Sequence, residues 1–181
     1  MPSPIGHALA GIAVGCLVGR RISGEPPRRP LWRGGLFQRR ERITPRSVIL
    51  FGILGILPDI DFLFGQHSRY THSIGAAVLI GVVVLACVGW SHLNTAFVAS
   101  AAYSSHVLLD WLGTDTTIPY GVMAFWPLTD AHFLSGQGWF PMVCREYWLG
   151  NCWLHNIAGA MWELVLLVPL TGVALYIRSA D

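Results

Sequence analysis

The chain contains no lysine and few charged residues of either sign. Its 181 residues include twelve arginines and ten acidic residues, so that 12% of the chain is charged, whereas a soluble domain carries about 25% charge. Apolar residues make up 53% of the sequence. This composition excludes an ordinary soluble domain and indicates a membrane protein. Since no long polar segment suggests a second, soluble domain, residues 1–181 are predicted to form a single integral membrane domain.

Three common catalytic motifs are also absent from the sequence. It has no HExxH zinc-protease helix, no GxSxG nucleophile turn and no GxxxxGK[ST] phosphate loop. The arginine-rich segment 20–46 is the one feature that suggests a nucleic-acid partner. We interpret it instead as a determinant of membrane orientation that contacts anionic lipid, and we expect no nucleic acid to bind.

Apolar runs in the sequence predict five helices. A membrane-spanning helix needs about 20 apolar residues. The last three runs are long enough, and the first two are long enough if their ends lie at the interface. We therefore predict an all-α polytopic membrane helix bundle with about five transmembrane helices. The runs are Ile5–Gly19, Val48–Phe64, Ser73–Trp90, Leu93–Leu112 and Ile157–Ile177.

The distribution of arginine predicts the orientation in the membrane. Nine of the twelve arginines lie between Arg20 and Arg46, and cytoplasmic loops are enriched in basic residues. The 20–46 loop is then cytoplasmic, and the N-terminus and the aromatic loop 113–155 lie outside. No basic segment precedes the first apolar run, which argues against a cleaved signal peptide. We expect an inner-membrane protein with Arg178 and the C-terminus inside.

This orientation gathers most of the histidines and several aspartates at the outer face. An aspartate at the centre of a membrane helix costs roughly 2.5–3.5 kcal/mol on insertion scales. A bound divalent metal is the simplest partner for both histidine and aspartate. The sequence therefore predicts a metal site at the outer ends of the helices. Its candidate ligands are His7, Asp59, Asp61, His72, His106 and Asp110, with His67 and His155 as additional candidates.

Two local motifs carry most of this prediction. His106 and Asp110 are four residues apart, so they lie on one face of a helix and can share a metal. The alternative is a polar pair at a helix end. Pro58 lacks an N–H and disfavours helix at the preceding residue, so it is expected to interrupt the second helix and expose Asp59. Asp59 and Asp61 do not share a helical face, and the alternative role for them is helix capping.

The order of these motifs resembles a known family. An N-terminal histidine, PDID, RYTHS and HVLLD follow one another over about residues 3–130, as in the YdjM-like membrane-bound metal-dependent hydrolases. That family is in turn similar to zinc-dependent phospholipases C and single-strand-specific zinc nucleases, which are helical and hold a metal cluster. The resemblance implies ligand roles at five positions: His7, Asp59, His72, His106 and Asp110.

The chain departs from those enzymes near its C-terminal end. They use a His-x-x-x-Glu pair, whereas Gly159 lies four residues after His155, and the nearest acid on that helix is Glu163. We therefore expect one or two metal ions rather than three. Mixed imidazole and carboxylate ligands suit zinc, with manganese or iron as alternatives.

The expected activity is hydrolysis of a phosphoester bond in a phospholipid or lipid-linked phosphate. A metal site of this kind activates water at neutral pH. Asp59 and Asp61 would orient the water or accept its proton, and Arg69 would bind the substrate phosphate, although a headgroup anchor is an alternative role for Arg69. The partners are then membrane lipid and a lipid-phosphate substrate.

Two other functions remain open at this point. A metal ion transporter should place its acids near the bilayer midplane, with access from both faces. A membrane protein without hydrolase activity, which binds the metal or uses it as a structural staple, fits the same ligands. The sequence leaves open the headgroup, the oligomeric state and the pairing of Cys144 with Cys152, which an oxidising exterior would permit.

Overall fold

The computed structural model describes residues 1–23, 44–64 and 68–179. Most of the arginine-rich loop 20–46 and the candidate ligand His67 therefore lie outside the described residues. The described chain forms five α-helices and two 3₁₀ segments with two isolated β-bridges and no strand, which confirms the all-α prediction. The α-helices are α1 (Pro4–Ser23), α2 (Pro45–Ile56), α3 (Ile74–Val88), α4 (Leu93–Leu112) and α5 (Gly150–Ser179), and the 3₁₀ segments are Leu57–Phe64 and Trp90–His92.

By length and hydropathy, α5 alone among the described helices could cross a membrane. Its 30 residues correspond to about 45 Å at a rise of 1.5 Å per residue. The apolar part of α1, Pro4–Gly19, and the whole of α3 are shorter. The bundle of five transmembrane spans therefore stays a prediction.

The interruption predicted at Pro58 is present. Helix α2 ends at Ile56 and the chain continues as the 3₁₀ segment, because Pro58 cannot donate a helical hydrogen bond. Helix α3 begins after Ser73, whose hydroxyl accepts from the Ala76 N–H at 3.0 Å and donates to the Tyr70 carbonyl at 2.6 Å. The N-cap thus fixes the turn that precedes α3.

Helix α1 packs against α2 at very short range. A Cβ added to Gly11 would lie 2.4 Å from the Phe51 carbonyl oxygen, and one added to Gly55 would lie 2.3 Å from the His7 carbonyl oxygen. The two backbones are therefore in direct contact, which the small residues on both helices permit. This contact fixes the position of His7 relative to α2.

The long segment between α4 and α5 folds back over one end of the bundle. The carbonyls of Ala124 and Trp126 accept hydrogen bonds from the N–H groups of Ile74 and Gly75 at 2.9 and 3.1 Å. These are the first residues of α3, whose N–H groups have no partner within the helix. The segment also ends in a disulfide between Cys144 and Cys152, the pairing that the sequence left open.

Candidate metal centre

Four elements bring five of the predicted ligands together at one end of the bundle. His7 comes from α1, Asp59 from the 3₁₀ segment, His72 from the turn before α3, and His106 and Asp110 from α4. His7 is 1% exposed, and His72, His106 and Asp110 are fully buried. The centre is thus buried, with Asp59 as its least buried member.

Asp110 lies at the middle of this cluster. Its Oδ1 is 3.3 Å from Nε2 of His7. Its Oδ2 is 3.4 Å from Nε2 of His72 and 3.1 Å from Nε2 of His106. Asp59 Oδ1 lies 3.7 Å from Nε2 of His72 and 3.6 Å from Nε2 of His106. The His72 and His106 ring centroids are 4.7 Å apart, well within reach of shared ions.

The donor atoms form two overlapping groups of three. One group is His7, His106 and Asp110, and the other is Asp59, His72 and His106; within each group the donor atoms lie within 4.8 Å of one another. His106 belongs to both groups. The arrangement therefore fits one ion, or two ions close together, which is the number of ions expected from the sequence.

Several of these donor atoms have no hydrogen bond in the described part of the chain. Nε2 of His106 and both carboxylate oxygens of Asp110 are buried without one, although their neighbours lie at ion-pair distances. A buried polar atom left without a partner costs about 1–3 kcal/mol. A divalent metal would satisfy these atoms together, and imidazole with carboxylate is a donor set that zinc accepts.

The orientation of His106 is set by α2. Nδ1 of His106 lies 2.7 Å from the Gly55 carbonyl oxygen. A carbonyl only accepts, so we assign the proton to Nδ1. The lone pair of Nε2 then faces Asp59 and Asp110. This is the usual support for a metal-ligating histidine.

Asp61 occupies a different place from Asp59. Its Oδ2 accepts the Ser68 N–H at 3.1 Å and the Thr71 hydroxyl at 3.0 Å, and lies 3.2 Å from Nδ1 of His72. Asp61 therefore sits on the opposite side of the His72 ring from Asp59 and belongs to neither group of donors. This position fits a carboxylate that orients a ligand histidine better than it fits a direct ligand or a catalytic group.

The electrostatics at His72 favour a cation. Burial opposes the charged imidazolium and lowers the pKa of His72, but the neighbouring carboxylates of Asp59, Asp61 and Asp110 outweigh it and raise that pKa to about 9. Carboxylates thus approach both ring nitrogens. A proton or a metal ion can supply the positive charge that this environment stabilises.

The structure does not bring every candidate to the centre. His155 lies at the start of α5, where its exposed ring has Nε2 2.8 Å from the Met142 carbonyl oxygen. Arg69 is not in the cluster but lines an adjoining cavity of about 990 Å³, together with Asp59 and Arg145. Asp59 therefore connects the buried donors to a space large enough for a substrate headgroup.

Sequence reasoning noted Glu163 but gave it no role. Glu163 is 1% exposed. Its carboxylate accepts the Ser3 N–H at 2.7 Å and also the Ser3 hydroxyl. Ser3 immediately precedes α1, so these hydrogen bonds join α5 to the N-terminal end of α1. A single acidic residue in an apolar helix indicates that it has a hydrogen-bond partner. Sequence spacing could not identify that partner, because Ser3 lies 160 residues away.

Comparison with known proteins identifies the family. A family model described as "YdjM inner membrane protein" matches residues 1–180, and the chain belongs to this family. The resemblance stated from the sequence motifs is therefore confirmed at the level of the family, and the family description supports a membrane location. No curated protein and no solved structure matches the chain.

Proposed function

We propose that this inner membrane protein is a metal-dependent hydrolase of phosphoester bonds in phospholipid or lipid-linked phosphate. The observation that carries the proposal is the cluster of buried donor atoms without hydrogen bonds, which adjoins a cavity through Asp59. Zinc is the metal that the donors favour, as one or two ions, with manganese or iron as alternatives.

A divalent metal held there would activate water and polarise a phosphoryl oxygen. His7, His106 and Asp110 would hold it with one group of donor atoms, and His72 would add a ligand beside Asp110, since all four residues are buried. Asp61 would keep the His72 ring in place through Nδ1.

Two residues on the wall of the cavity would act on the substrate. Asp59 faces both the donors and the cavity, so its carboxylate can orient the attacking water and accept its proton. Arg69 lines the same cavity, and its guanidinium has the planar fork that binds phosphate with two hydrogen bonds. In this proposal Asp61 acts through His72 and does not contact the substrate.

Membrane lipid is the proposed source of the substrate. The loop before α5 and the first turns of α5 expose large apolar side chains, as expected for a surface at headgroup depth. They include Leu128, Trp139, Trp148, Trp153 and Leu154. With the arginine-rich loop in the cytoplasm, the N-terminus and the centre would face the periplasm, so that a lipid tail stays in the membrane while its phosphate reaches Asp59.

The alternative is a metal transporter or a metal-binding protein without hydrolase activity. The buried donors support this alternative equally well. The adjoining cavity with Asp59 and Arg69 favours the hydrolase, because a transporter has no need of a cationic group that binds phosphate.

The test compares variants of two histidines. His106→Ala removes a donor shared by both groups, whereas His92→Ala alters an exposed histidine in the 3₁₀ segment before α4. Purified zinc-loaded protein would be assayed with lipid phosphates and a chromogenic phosphodiester. We expect turnover by wild type and His92→Ala and none by His106→Ala. If wild type cleaves no substrate while metal uptake by cells requires His106, the transporter function replaces the hydrolase.

A further inference from the structure

The cavity beside the metal centre contains a second arginine that the sequence did not single out. Arg145 and Arg69 both line the cavity, together with the candidate ligand Asp59. Arg69 comes from the turn after the 3₁₀ segment, whereas Arg145 comes from the loop that precedes α5. Two distant parts of the chain thus place guanidinium groups around one space.

Arg145 is attached to α5 through its neighbour in sequence. The Cys144 N–H donates to Oδ1 of Asn156 at 2.7 Å, and Nδ2 of Asn156 donates to the Cys144 carbonyl at 2.9 Å. Cys144 is also joined to Cys152 by the disulfide. Because Asn156 and Cys152 both belong to the first two turns of α5, the backbone next to Arg145 is fixed by a helix.

The guanidinium of Arg145 is directed toward the segment that carries Asp59. Its Cζ lies 5.0 Å from the ring centroid of Phe62, a distance at which a cation and an aromatic face attract. Phe62 belongs to the same 3₁₀ segment as Asp59. Arg145 therefore lies beside the segment that carries Asp59.

Among the described residues, three acidic side chains also line the cavity: Asp59, Asp115 and Glu146. The carboxylate of Asp115 accepts the N–H groups of Thr117 at 2.9 Å and Gly121 at 2.8 Å, so it is engaged by its own loop. Asp59 faces the metal donors. Glu146 is the remaining acid among the described residues that line the cavity. The cavity wall thus carries two arginines, from two separate segments of the chain, beside these acids.

We infer that Arg145 selects the headgroup: it favours lipids that end in a doubly charged phosphate, such as a phosphate monoester or diphosphate, over lipids with a zwitterionic headgroup. Arg69 and Arg145 bind different oxygens of the terminal phosphate. The Cys144–Cys152 disulfide and the hydrogen bonds between Cys144 and Asn156 hold Arg145 in place for this contact. The inference rests on the proposed function for the position of the phosphate, and it adds the substrate class and the residue that determines it.

The test measures binding and not hydrolysis. Hexylphosphonate carries an anionic group on a C–P bond that ester hydrolysis cannot cleave, and hexylphosphocholine carries a zwitterionic headgroup on the same tail. Each would be titrated calorimetrically into zinc-loaded protein in a non-ionic detergent. Arg145→Gln should weaken hexylphosphonate binding by about tenfold, since charge-assisted hydrogen bonds are lost, and should leave hexylphosphocholine binding nearly unchanged.

Arg178→Gln is the matched control, because it removes the same charge from the last turn of α5, at the other end of the helix from the cavity. It should bind both compounds as wild type does. Arg145→Lys keeps the charge without the planar fork and should lose part of the affinity for hexylphosphonate. The Cys144→Ser/Cys152→Ser variant should lose affinity for hexylphosphonate in the same direction as Arg145→Gln.

Equal affinity of Arg145→Gln and wild type for hexylphosphonate would overturn the inference. An equal loss for both compounds would also overturn it, because the residue would then support the fold and not select the headgroup. These binding results can be distinguished from a failure of the proposed hydrolase activity. If Arg145 selects hexylphosphonate and the protein cleaves no phosphoester, the binding site stands and the hydrolase does not.

Discussion

Replacement of Gly55 by alanine tests how the metal centre depends on the contact between α1 and α2. The added Cβ would lie 2.3 Å from the His7 carbonyl oxygen and 3.1 Å from Cα of Gly11. Both neighbours are backbone atoms, so they cannot move aside as a flexible side chain does. An ordinary contact is about 3.4–4 Å, and α1 must therefore shift by about 1 Å or more.

That shift would act on the centre in two ways. His7 moves with α1, and the Gly55 carbonyl that lies 2.7 Å from Nδ1 of His106 is displaced from its ring. Loss of such a supporting contact typically lowers metal affinity about 10–100-fold. Overpacking of a tight interface destabilises by about 1–3 kcal/mol. We expect Gly55→Ala to fold with reduced stability. We also expect it to bind zinc about tenfold more weakly, the lower end of that range.

The assay is competition for zinc between the purified protein and a chromophoric chelator. Gly52→Ala is the control in the same helix, because its Cβ would lie 3.5 Å from Cδ1 of Ile12, an ordinary contact with a side chain. It should bind zinc as wild type does. Equal zinc affinities of the Gly55→Ala and Gly52→Ala proteins would refute the argument that the helix contact positions His7 and His106.

Three further predictions follow from the same geometry. Asp110→Asn should reduce the zinc content found by elemental analysis to near zero. Asp61→Asn should still bind zinc, with an affinity about 10–100-fold lower, because Asp61 orients the ligand His72 and does not contact the metal. Equal losses of zinc in the two variants would contradict this difference. At pH 7.5 His72, with its pKa raised to about 9, holds a proton when no metal is bound, so zinc binding should release about one proton, and less as the pH rises through 9. Calorimetry in buffers of different ionisation enthalpy measures that release, and no buffer dependence would contradict it. Glu163→Gln should lower the free energy of unfolding by about 0.5–1.5 kcal/mol, because the amide offers one acceptor oxygen for the two hydrogen bonds that Ser3 donates. Glu146→Gln, at an exposed position, should leave the free energy of unfolding unchanged, and denaturation in detergent would compare the two variants.

The sequence predicted those parts of the fold that depend on local patterns. Helix α4 has the predicted bounds, Leu93–Leu112, because its apolar run ends directly before Gly113, which caps the helix. The start of α5 was predicted seven residues too late, at Ile157, since its first two turns mix polar and apolar residues and form no continuous apolar run. Whether the shorter helices cross the membrane could not be decided from length and hydropathy.

The candidate site was predictable as a set of residue types but not as an arrangement. The four-residue spacing of His106 and Asp110 indicated a shared helix face, and the structure places their atoms 3.1 Å apart. Asp59 and Asp61 looked equivalent in the sequence. They lie on opposite sides of His72, and Ser68 and Thr71 bind Asp61 through contacts that no spacing rule contains.

Arg145 was not singled out for a related reason. Its role depends on two contacts of its loop, one with Asn156 of α5 and one with Phe62. Asn156 lies beyond the turn that begins α5, and Phe62 is remote in the sequence. Glu163 likewise depends on Ser3, which lies at the other end of the chain. Long-range pairs of this kind need the folded backbone before they can be recognised.

The most direct test of the proposed hydrolase is a ³¹P NMR time course on one sample of wild-type protein in vesicles that contain phosphatidic acid. The spectrum would be followed first after removal of metal with a chelator and then after zinc is restored. We predict no change in the phosphate signals of the stripped sample and steady conversion of the lipid signal to inorganic phosphate after zinc is added. A sample that regains its full zinc content and leaves the phosphatidic acid signal unchanged would contradict the proposal for this substrate.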